Sequence, residues 1–370
     1  MPSPPEKLRV VCAMSGGVDS SVAAWLLREQ GYEVVGLFMR NGVHLAEDEP
    51  GKKSCCSVAD ARDARMVAAQ LGIAFQAVDL ASEFGGIVRT FLDEYAAGRT
   101  PNPCAICNRD LKLGRLLDFA LDLGASHVAT GHYARVETGA DGRVVVRRGA
   151  DRAKDQSYQL FAVAEANLAR TLLPLGGLEK AQVRELAAAA GIRTALKPDS
   201  QEICFVPGND YRRLLAECGV PLHAGALVDS GGRVLGRHAG TEHFTIGQRR
   251  GAGVAAGRPL YVLEIHPESG TVVLGDRAEC ASRALEAADV NWIGFDPPGG
   301  SFRAAVQVRY RHTAAPAMIE VQGQIARVLF DAPQHAVAPG QGAAFYEGER
   351  LLGGGWIAAT EADSAAGPGG

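Results

Sequence analysis

The chain has 370 residues, of which 47% are hydrophobic and 22% are charged, and its formal net charge is −4. This length predicts two or three domains, and the balanced composition excludes a fibrous or wholly disordered protein. The acidic balance excludes a globally basic nucleic-acid binder, so any RNA must be bound by local basic patches.

The ends and the cysteines indicate the compartment. No apolar run reaches the ~18 residues of a transmembrane helix, and residues 1–7 lack the apolar core of a signal peptide. We therefore expect a cytoplasmic protein that does not bind a membrane. Its eight cysteines are then not expected to form structural disulfides. Cys12 and Cys280 are expected to be buried as small apolar residues.

Strands and helices alternate through the first 130 residues. The apolar pair Val10-Val11 predicts a first strand, and the apolar residues 22–27 predict a first helix. Further strands are predicted at 33–39, 73–78 and 127–130, and further helices at 57–71, 84–97 and 108–123. This order predicts a parallel sheet with helices on both faces. Ligands of such sheets bind at the carboxyl ends of the strands, so the loops after Met14, Met39 and Thr130 should share one rim.

The character of the chain changes further on. We predict a hairpin over 135–148, helices at 164–173, 179–190 and 210–217, and an irregular loop over 197–207. From about Gly225, short alternating segments separated by turns predict small antiparallel β-barrels. The fold class is therefore α/β followed by two small β domains. Predicted domains are 1–207 (catalytic), 208–279 (central) and 280–361 (C-terminal barrel), with a disordered tail at 362–370.

The most informative stretch is the glycine loop Ser-Gly-Gly-Val-Asp-Ser at 15–20, which joins the first strand to the first helix. Two glycines allow a close backbone approach, and a helix N-terminus attracts anions. The loop lacks the lysine of a Walker motif. It resembles instead the pyrophosphate loop of the ATP pyrophosphatases, which split ATP between the α- and β-phosphates. The competing interpretation is an ordinary turn in which a serine caps the helix.

Two stiff polar loops carry cysteines. Cys107 follows Thr-Pro-Asn-Pro and comes just before a predicted helix, beside Arg109 and Lys112, while Cys204 lies in a second such loop. A helix N-terminus and neighbouring cations favour the thiolate of Cys107. Two activated cysteines beside an ATP-activating loop predict sulfur chemistry, in which one carries a persulfide and the other resolves it as a disulfide.

Cys104 and Cys107 also form a C-x-x-C pair, which redox, zinc and iron–sulfur sites share. Zinc would need further ligands that the sequence does not offer. No role is assigned to the adjacent pair Cys55-Cys56.

Several motifs occur together in one order. They are the glycine loop, Thr-Pro-Asn-Pro-x-x-x-Cys-Asn, Gly-His-Tyr-Ala-Arg, Lys-Asp-Gln-Ser-Tyr, Asp-Ser-Gln-Glu-Ile-Cys-Phe, Gly-Gln-Arg-Arg-Gly and Arg-Tyr-Arg. This ordered set resembles the bacterial tRNA-specific 2-thiouridylase family over about residues 8–358. In that family ATP adenylates the C2 oxygen of the wobble uridine, and a persulfide cysteine then delivers sulfur as AMP leaves.

The resemblance implies a role for each matching residue. Cys204 would carry the persulfide and Cys107 would complete the transfer. ATP, with Mg²⁺, would contact Ala13, Met14, Ser15, Gly16, Gly17, Val18, Asp19, Ser20, Met39 and Gly131. The tRNA would contact Asn102, Pro103, Cys104, His132, Lys154, Asp155, Gln156, Arg309, Tyr310 and Gln341. Implied partners are tRNAs of the glutamate, lysine and glutamine types and a sulfur-donor protein of a persulfide relay.

Some alternatives stay open at this point. The family pattern has an Asp where this chain has Cys104, so Cys104, Cys107 and Cys204 could instead bind an iron–sulfur cluster. His132 could be a structural histidine, the Arg309–His312 cluster a solvated strand, and Asp19 a brace of its loop. Two further functions are another adenylating ligase with the same loop and a non-catalytic RNA- or metal-binding protein.

Overall fold

The structure, a computed structural model, describes residues 8–42, 58–198, 203–206, 208, 210–254 and 256–362. Predictions for residues 1–7, for Cys55 and Cys56, and for 363–370 lie outside the described residues. The chain divides into two compact units: 1–87 with 104–209 and 349–351, and 88–103 with 210–348 and 352–370. The three predicted domain boundaries stay predictions.

The helices and strands have the following bounds. The helices are α1 Val18–Glu29, α2 Val58–Leu71, α3 Ala81–Ala96, α4 Pro103–Ile106, α5 Leu116–Asp122, α6 Glu165–Leu168, α7 Lys180–Ala189 and α8 Tyr211–Glu217; the π-helical segment Cys107–Arg115 (the π segment) joins α4 to α5, and short 3₁₀ turns span Ser157–Leu160, Thr241–His243 and Pro267–Ser269. The strands are β1 Arg9–Ala13, β2 Glu33–Arg40, β3 Ala74–Asp79, β4 His127–Ala129, β5 Ala134–Thr138, β6 Val144–Arg148, β7 Thr171–Leu172, β8 Gly225–Asp229, β9 Val234–His238, β10 Tyr261–His266, β11 Thr271–Gly275, β12 Ala281–Trp292, β13 Ser301–Gln307, β14 Ala315–Gln322, β15 Ile325–His335, β16 Gly342–Glu347 and β17 Arg350–Ala362.

The first unit is built on a parallel sheet, as the alternation of strands and helices predicts. Its strand order is β3-β2-β1-β4-β7, with β1 in the middle paired to β2 and β4. Val10, Cys12 and Val22 are fully buried in its core. Because β1 is central, the loop that follows it leaves the sheet at the carboxyl edge where ligands bind.

Two predictions in this unit are wrong in detail. The helix predicted over 164–173 is one turn, Glu165–Leu168, and Thr171-Leu172 is instead a parallel edge strand beside β4. Two residues are too few to show a strand period. The helix predicted from 108 begins at Pro103, because proline is well suited to a first helical position. The predicted hairpin over 135–148 is confirmed as β5 and β6.

The second unit contains two β structures. A four-stranded sheet has the order β10-β11-β8-β9. It is mixed rather than wholly antiparallel, because β8 and β11 pair in parallel. The strands β12-β15-β14-β13-β16-β17 form a barrel that β12 closes by pairing with β17. Val306, Val328 and Phe345 lie in its buried core.

Cys12 and Cys280 are buried, as predicted, and burial raises the pKa of Cys12 to about 12. Burial also raises the pKa of Cys280. Neither thiol is therefore a nucleophile at neutral pH. Within the ranges that the structure describes, no helix combines the length and apolar character needed to cross a membrane.

Candidate active site

The glycine loop turns sharply between β1 and α1. Gly16 has a φ of +74°, and a Cβ at this position would lie 2.3 Å from the carbonyl oxygen of Asp60 in α2. Both the left-handed conformation and the close approach therefore require glycine. The loop is fixed against a neighbouring helix as well as by its own turn.

The first turn of α1 is open toward the loop. Its N-cap, Gly17, makes no side-chain cap. Ser20 Oγ accepts from the Ser15 amide at 3.1 Å, and Ser21 Oγ donates to the Gly17 carbonyl at 2.7 Å. Uncapped amides at the positive end of a helix bind phosphate. Ala13, Met14 and Val18 are buried, so any contact that they make with ATP comes from their backbone.

A lysine stands beside this loop although the loop itself has none. Lys180 Nζ lies 2.7 and 2.8 Å from the two carboxylate oxygens of Asp19, and the Tyr133 hydroxyl donates to Asp19 Oδ1 at 2.7 Å. The Lys180 side chain is only 14% exposed. Asp19 therefore braces the loop and holds a cation beside it.

A second lysine joins the loop to α2. Lys197 Nζ donates to the Gly16 carbonyl at 2.9 Å, to Asp60 Oδ1 at 2.6 Å and to Asp63 Oδ2 at 2.8 Å. Burial alone would lower the pKa of Lys197, but the two carboxylates outweigh it and the pKa is raised. The ammonium is therefore charged at neutral pH.

The loop after β4 approaches α1 closely. A Cβ on Gly131 would lie 2.8 Å from the Ser20 amide nitrogen, so only glycine fits here. His132 is buried, and its Nδ1 lies 2.6 Å from Thr130 Oγ1. Burial, with a smaller effect of the Lys112 cation, lowers the pKa of His132 to about 3. His132 is therefore uncharged at neutral pH and held by Thr130, and its contact with tRNA stays a prediction. Met39, at the end of β2, is half-buried.

Cys107 is the first residue of the π segment, one turn inside the helix that starts at Pro103. The expectation that it lies at a helix N-terminus is therefore wrong, and that position belongs to the exposed Cys104. Arg109, expected to favour a thiolate, forms a bidentate ion pair with Asp110 at 2.5 and 2.8 Å. π-helical turns are rare and occur frequently at functional sites.

The segment with Cys204 is anchored on both sides. Lys197 fixes its start to the glycine loop, and the buried Phe205 packs edge-on against Phe84 of α3, with ring centroids 5.6 Å apart. Cys204 and Cys107 are both half-buried and both belong to the first unit. Residues 199–202, between the anchors, lie outside the described residues.

The three cysteines are the candidate ligands of an iron–sulfur cluster. Among the residues that the structure describes, no three or more His, Cys, Asp or Glu side chains are placed to bind a metal ion. No iron–sulfur site on Cys104, Cys107 and Cys204 is therefore evident in the described part of the chain. The described residues also contain no cluster of carboxylates placed to bind Mg²⁺. Asp19, the carboxylate of the glycine loop, is paired with Lys180. An ion held by substrate phosphates is the form that Mg²⁺ commonly takes in nucleotide sites.

The loop at 154–156 lies beside the same site. Gln156 Oε1 accepts from the Tyr133 amide at 3.0 Å. Asp155 accepts from Arg148 Nη1 and from the amides of Gly149 and Ser157. The Asp155 carboxylate therefore braces the loop rather than reaching out to RNA. Lys154 is half-buried.

The predicted base-facing residues differ in exposure. Asn102 and Pro103 are buried and belong to the second unit, whereas Cys104 is exposed and belongs to the first. Gln341 Nε2 donates to the carbonyls of Thr100 and Pro101 at 3.1 and 2.8 Å. Its side chain thus holds the Thr100–Pro101 backbone in place just before Asn102.

The basic cluster of the barrel is partly structural. Arg309 Nη1 donates to the carbonyls of His335 and Ala336 at 2.9 and 3.2 Å. Arg311 is exposed, with its guanidinium 5.5 Å from the Tyr310 ring centroid. Burial, with a further effect of Arg309, lowers the pKa of His312. Of this cluster, Arg311 is the cation that remains open to solvent.

Sequence reasoning missed Lys180, Lys197 and Tyr133. Tyr133 belongs to the Gly-His-Tyr-Ala-Arg motif, which was a usable signal. The lysines lie 161 and 181 residues from their partners in the loop, and no local pattern marks them.

The chain is similar to known proteins over most of its length. Residues 8–208 match a family model described as the tRNA methyl transferase HUP domain, 215–276 its PRC-barrel domain, and 282–357 an aminomethyltransferase β-barrel domain. A tRNA-specific 2-thiouridylase MnmA from Acidobacterium capsulatum is 48% identical, covering 94% of this chain and 98% of the relative. One from Geobacter metallireducens is also 48% identical, over 95% and 97%. Among solved structures, a 4-thiouridine synthetase–RNA complex with bound ATP is 18% identical, with a TM-score of 0.36 over 57% of this chain and 50% of that one. The chain belongs to the tRNA-specific 2-thiouridylase family.

Proposed function

We propose that this protein catalyses the ATP-dependent 2-thiolation of the wobble uridine in tRNA. The observation that carries the proposal is the glycine loop, which leads into a helix without a side-chain cap and is flanked by Lys180 and Lys197. It lies in a chain that matches a 2-thiouridylase over 94% of its length. A loop of this kind presents amide donors and cations to a polyphosphate.

The first step activates the base. The uridine C2 oxygen attacks the α-phosphorus of ATP, the bond between the α- and β-phosphates breaks, and pyrophosphate leaves. The amides of α1 and the Lys180 ammonium stabilise negative charge on the phosphates. Gly131 and Met39 border the nucleotide. The step converts a poor leaving group into AMP.

The second step delivers sulfur. Cys204 carries a persulfide received from a sulfur-donor protein of a persulfide relay. The Cys107 thiolate attacks the Cys204 sulfur, forming a Cys107–Cys204 disulfide and releasing hydrosulfide. Hydrosulfide attacks C2 of the adenylated uridine and expels AMP. A thiol reductant then supplies two electrons to restore both cysteines.

The substrates are tRNAs of the glutamate, lysine and glutamine types, in the cytoplasm. The wobble base must leave its stack to reach the cysteines. We assign contact with the splayed nucleotide to exposed Cys104 and half-buried Lys154, and contact with a phosphate to exposed Arg311. Asn102, Pro103, Asp155, Arg309 and Gln341 position the surfaces that carry them.

Mass analysis of tRNA nucleosides tests the proposal. The protein is incubated with unmodified tRNA, ATP, Mg²⁺ and a persulfide donor, and 2-thiouridine should appear at the wobble position with one AMP per base. Cys204→Ser should form none while still binding ATP and tRNA. The matched control is Cys218→Ser, which removes an exposed thiol and should leave the yield unchanged. ATP–pyrophosphate exchange that ignores tRNA, without thiolation, would favour another adenylating ligase.

A further inference from the structure

The loop at 154–156 and the nucleotide loop are joined by a closed ring of hydrogen bonds. Tyr133 is held by Gln156 on both backbone groups: its amide donates to Gln156 Oε1 at 3.0 Å and its carbonyl accepts from the Gln156 amide at 2.9 Å. The Tyr133 hydroxyl then reaches Asp19 at 2.7 Å, and Asp19 holds Lys180.

A second path closes the ring. The Lys180 backbone amide donates to Asp151 Oδ2 at 3.0 Å. Asp151 Oδ1 accepts from the amides of Ala153 and Lys154 at 3.0 and 3.2 Å. Lys180 also lies over the Tyr133 ring, with Nζ 5.8 Å from the centroid. Tyr133, Asp19, Lys180 and Asp151 are therefore each hydrogen-bonded to a neighbour on either side in this closed path.

We infer that Tyr133 is a positioning residue through which tRNA binding at the 154–156 loop strengthens ATP binding at the glycine loop. The inference rests on the proposed function, because it requires both ligands. tRNA bound at the 154–156 loop acts on the Tyr133 backbone through Gln156, and through Tyr133 on the hydroxyl that donates to Asp19. That hydroxyl shares the Asp19 carboxylate with the Lys180 ammonium, so the position of Tyr133 affects the cation that would meet a phosphate.

The ring provides an energetic reason for coupling. Energetic coupling between two sites travels through continuous networks of hydrogen bonds and packed side chains, and this network is continuous from Gln156 to Lys180. Coupling between two sites is reciprocal, so ATP strengthens tRNA binding by the same factor. A hydrogen bond to a charged group corresponds to about a tenfold change in an equilibrium constant, which sets the expected size of the effect.

Tyr133→Phe isolates the effect. Tyr133 is 3% exposed, and phenylalanine keeps the buried ring while removing the hydroxyl. The measurement is the Kd of an ATP analogue with a methylene between the α- and β-phosphates, without tRNA and with saturating unmodified tRNA. The coupling factor is the ratio of the two values. We expect about ten for the natural protein and below about two for Tyr133→Phe, with the tRNA Kd of the variant alone unchanged.

Two further variants separate this role from general damage. Tyr32→Phe removes a hydroxyl from a half-buried tyrosine packed on the same core and should keep the full coupling factor. Asp151→Asn breaks the second path and should lower the factor, which keeps the test valid if Tyr133→Phe does not fold. If the natural protein makes 2-thiouridine but has the same coupling factor as Tyr133→Phe, the inference is overturned and the proposed function stands. Absence of 2-thiouridine would overturn the proposed function.

Discussion

The ammonium of Lys197 lies 2.9 Å from the carbonyl oxygen of Gly16, so Lys197 ties the start of the segment that leads to Cys204 to the turn of the glycine loop. The same ammonium pairs with Asp60 and Asp63 of α2. One side chain thereby joins the glycine loop, a helix and the start of the Cys204 segment.

Lys197→Met should lower the free energy of unfolding by about 2 kcal/mol, because removal of one partner leaves two partly buried carboxylates without their cation. Urea denaturation measures the change. Arg62→Met removes an exposed cation from the same helix and should cost less than about 0.5 kcal/mol. Equal stabilities of the two variants would show that the Lys197 cluster does not hold the loop.

Gly131→Ala should weaken ATP binding at least tenfold, since the new methyl group would lie 2.8 Å from the Ser20 amide nitrogen and 2.9 Å from the Asp19 carbonyl carbon. Relief of that contact must displace the first turn of α1. Calorimetric titration with ATP gives the affinity. Gly177→Ala is the matched control, because a Cβ on Gly177 would have nothing within 4 Å of it. Unaltered ATP affinity in Gly131→Ala would remove Gly131 from the nucleotide site.

His132 makes stability depend on pH in a defined direction. Its pKa is about 3 in the folded protein and about 6.5 in an unfolded chain. Above pH 6.5 both states are neutral and His132 contributes no pH dependence. Between pH 6.5 and 3 the unfolded chain binds the proton first, so the free energy of unfolding decreases as the pH decreases, by up to about 1.4 kcal/mol per pH unit. Plots of the free energy of unfolding against pH for the natural protein and for His132→Gln should therefore converge as the pH falls through this range. Parallel plots would mean that His132 takes up its proton at the same pH in the folded and the unfolded protein.

Arg311→Gln should weaken tRNA binding several-fold and reduce the slope of log Kd against log salt by about one, as expected for the loss of one phosphate contact. Filter binding between low and moderate salt measures both. Arg303→Gln, which removes another exposed arginine of the barrel, is the control and should leave the slope unchanged. A slope unchanged by Arg311→Gln as well would identify this cluster as a solvated strand.

Local patterns were sufficient for the β1–loop–α1 unit and for the central position of its loop. Residues adjacent in sequence create the turn, the helix start and the apolar strand. The cations beside the loop could not be found in this way, because Lys180 and Lys197 are 161 and 181 residues from Asp19 and Gly16 in the sequence and meet them only in the folded chain.

The π segment shows a different limit. Its residue pattern does not distinguish a π turn from an α-helix, and the sequence predicts a helix start at residue 108. That prediction places Cys107 just before a helix that in fact begins at Pro103. The burial of Asn102 and the pairing of Gln341 with the Thr100–Pro101 backbone are likewise tertiary properties. A motif match alone does not distinguish a residue that touches the substrate from one that positions its neighbour.

The central claim is that Cys107 and Cys204 act on one sulfur atom. The most direct measurement is peptide mass spectrometry after a single turnover of persulfide-loaded protein with ATP and tRNA, in the absence of reductant. We predict a Cys107–Cys204 disulfide in amounts equal to the 2-thiouridine formed, and neither product in Cys107→Ser. Full 2-thiouridine yield with no bond between these two cysteines would contradict the account.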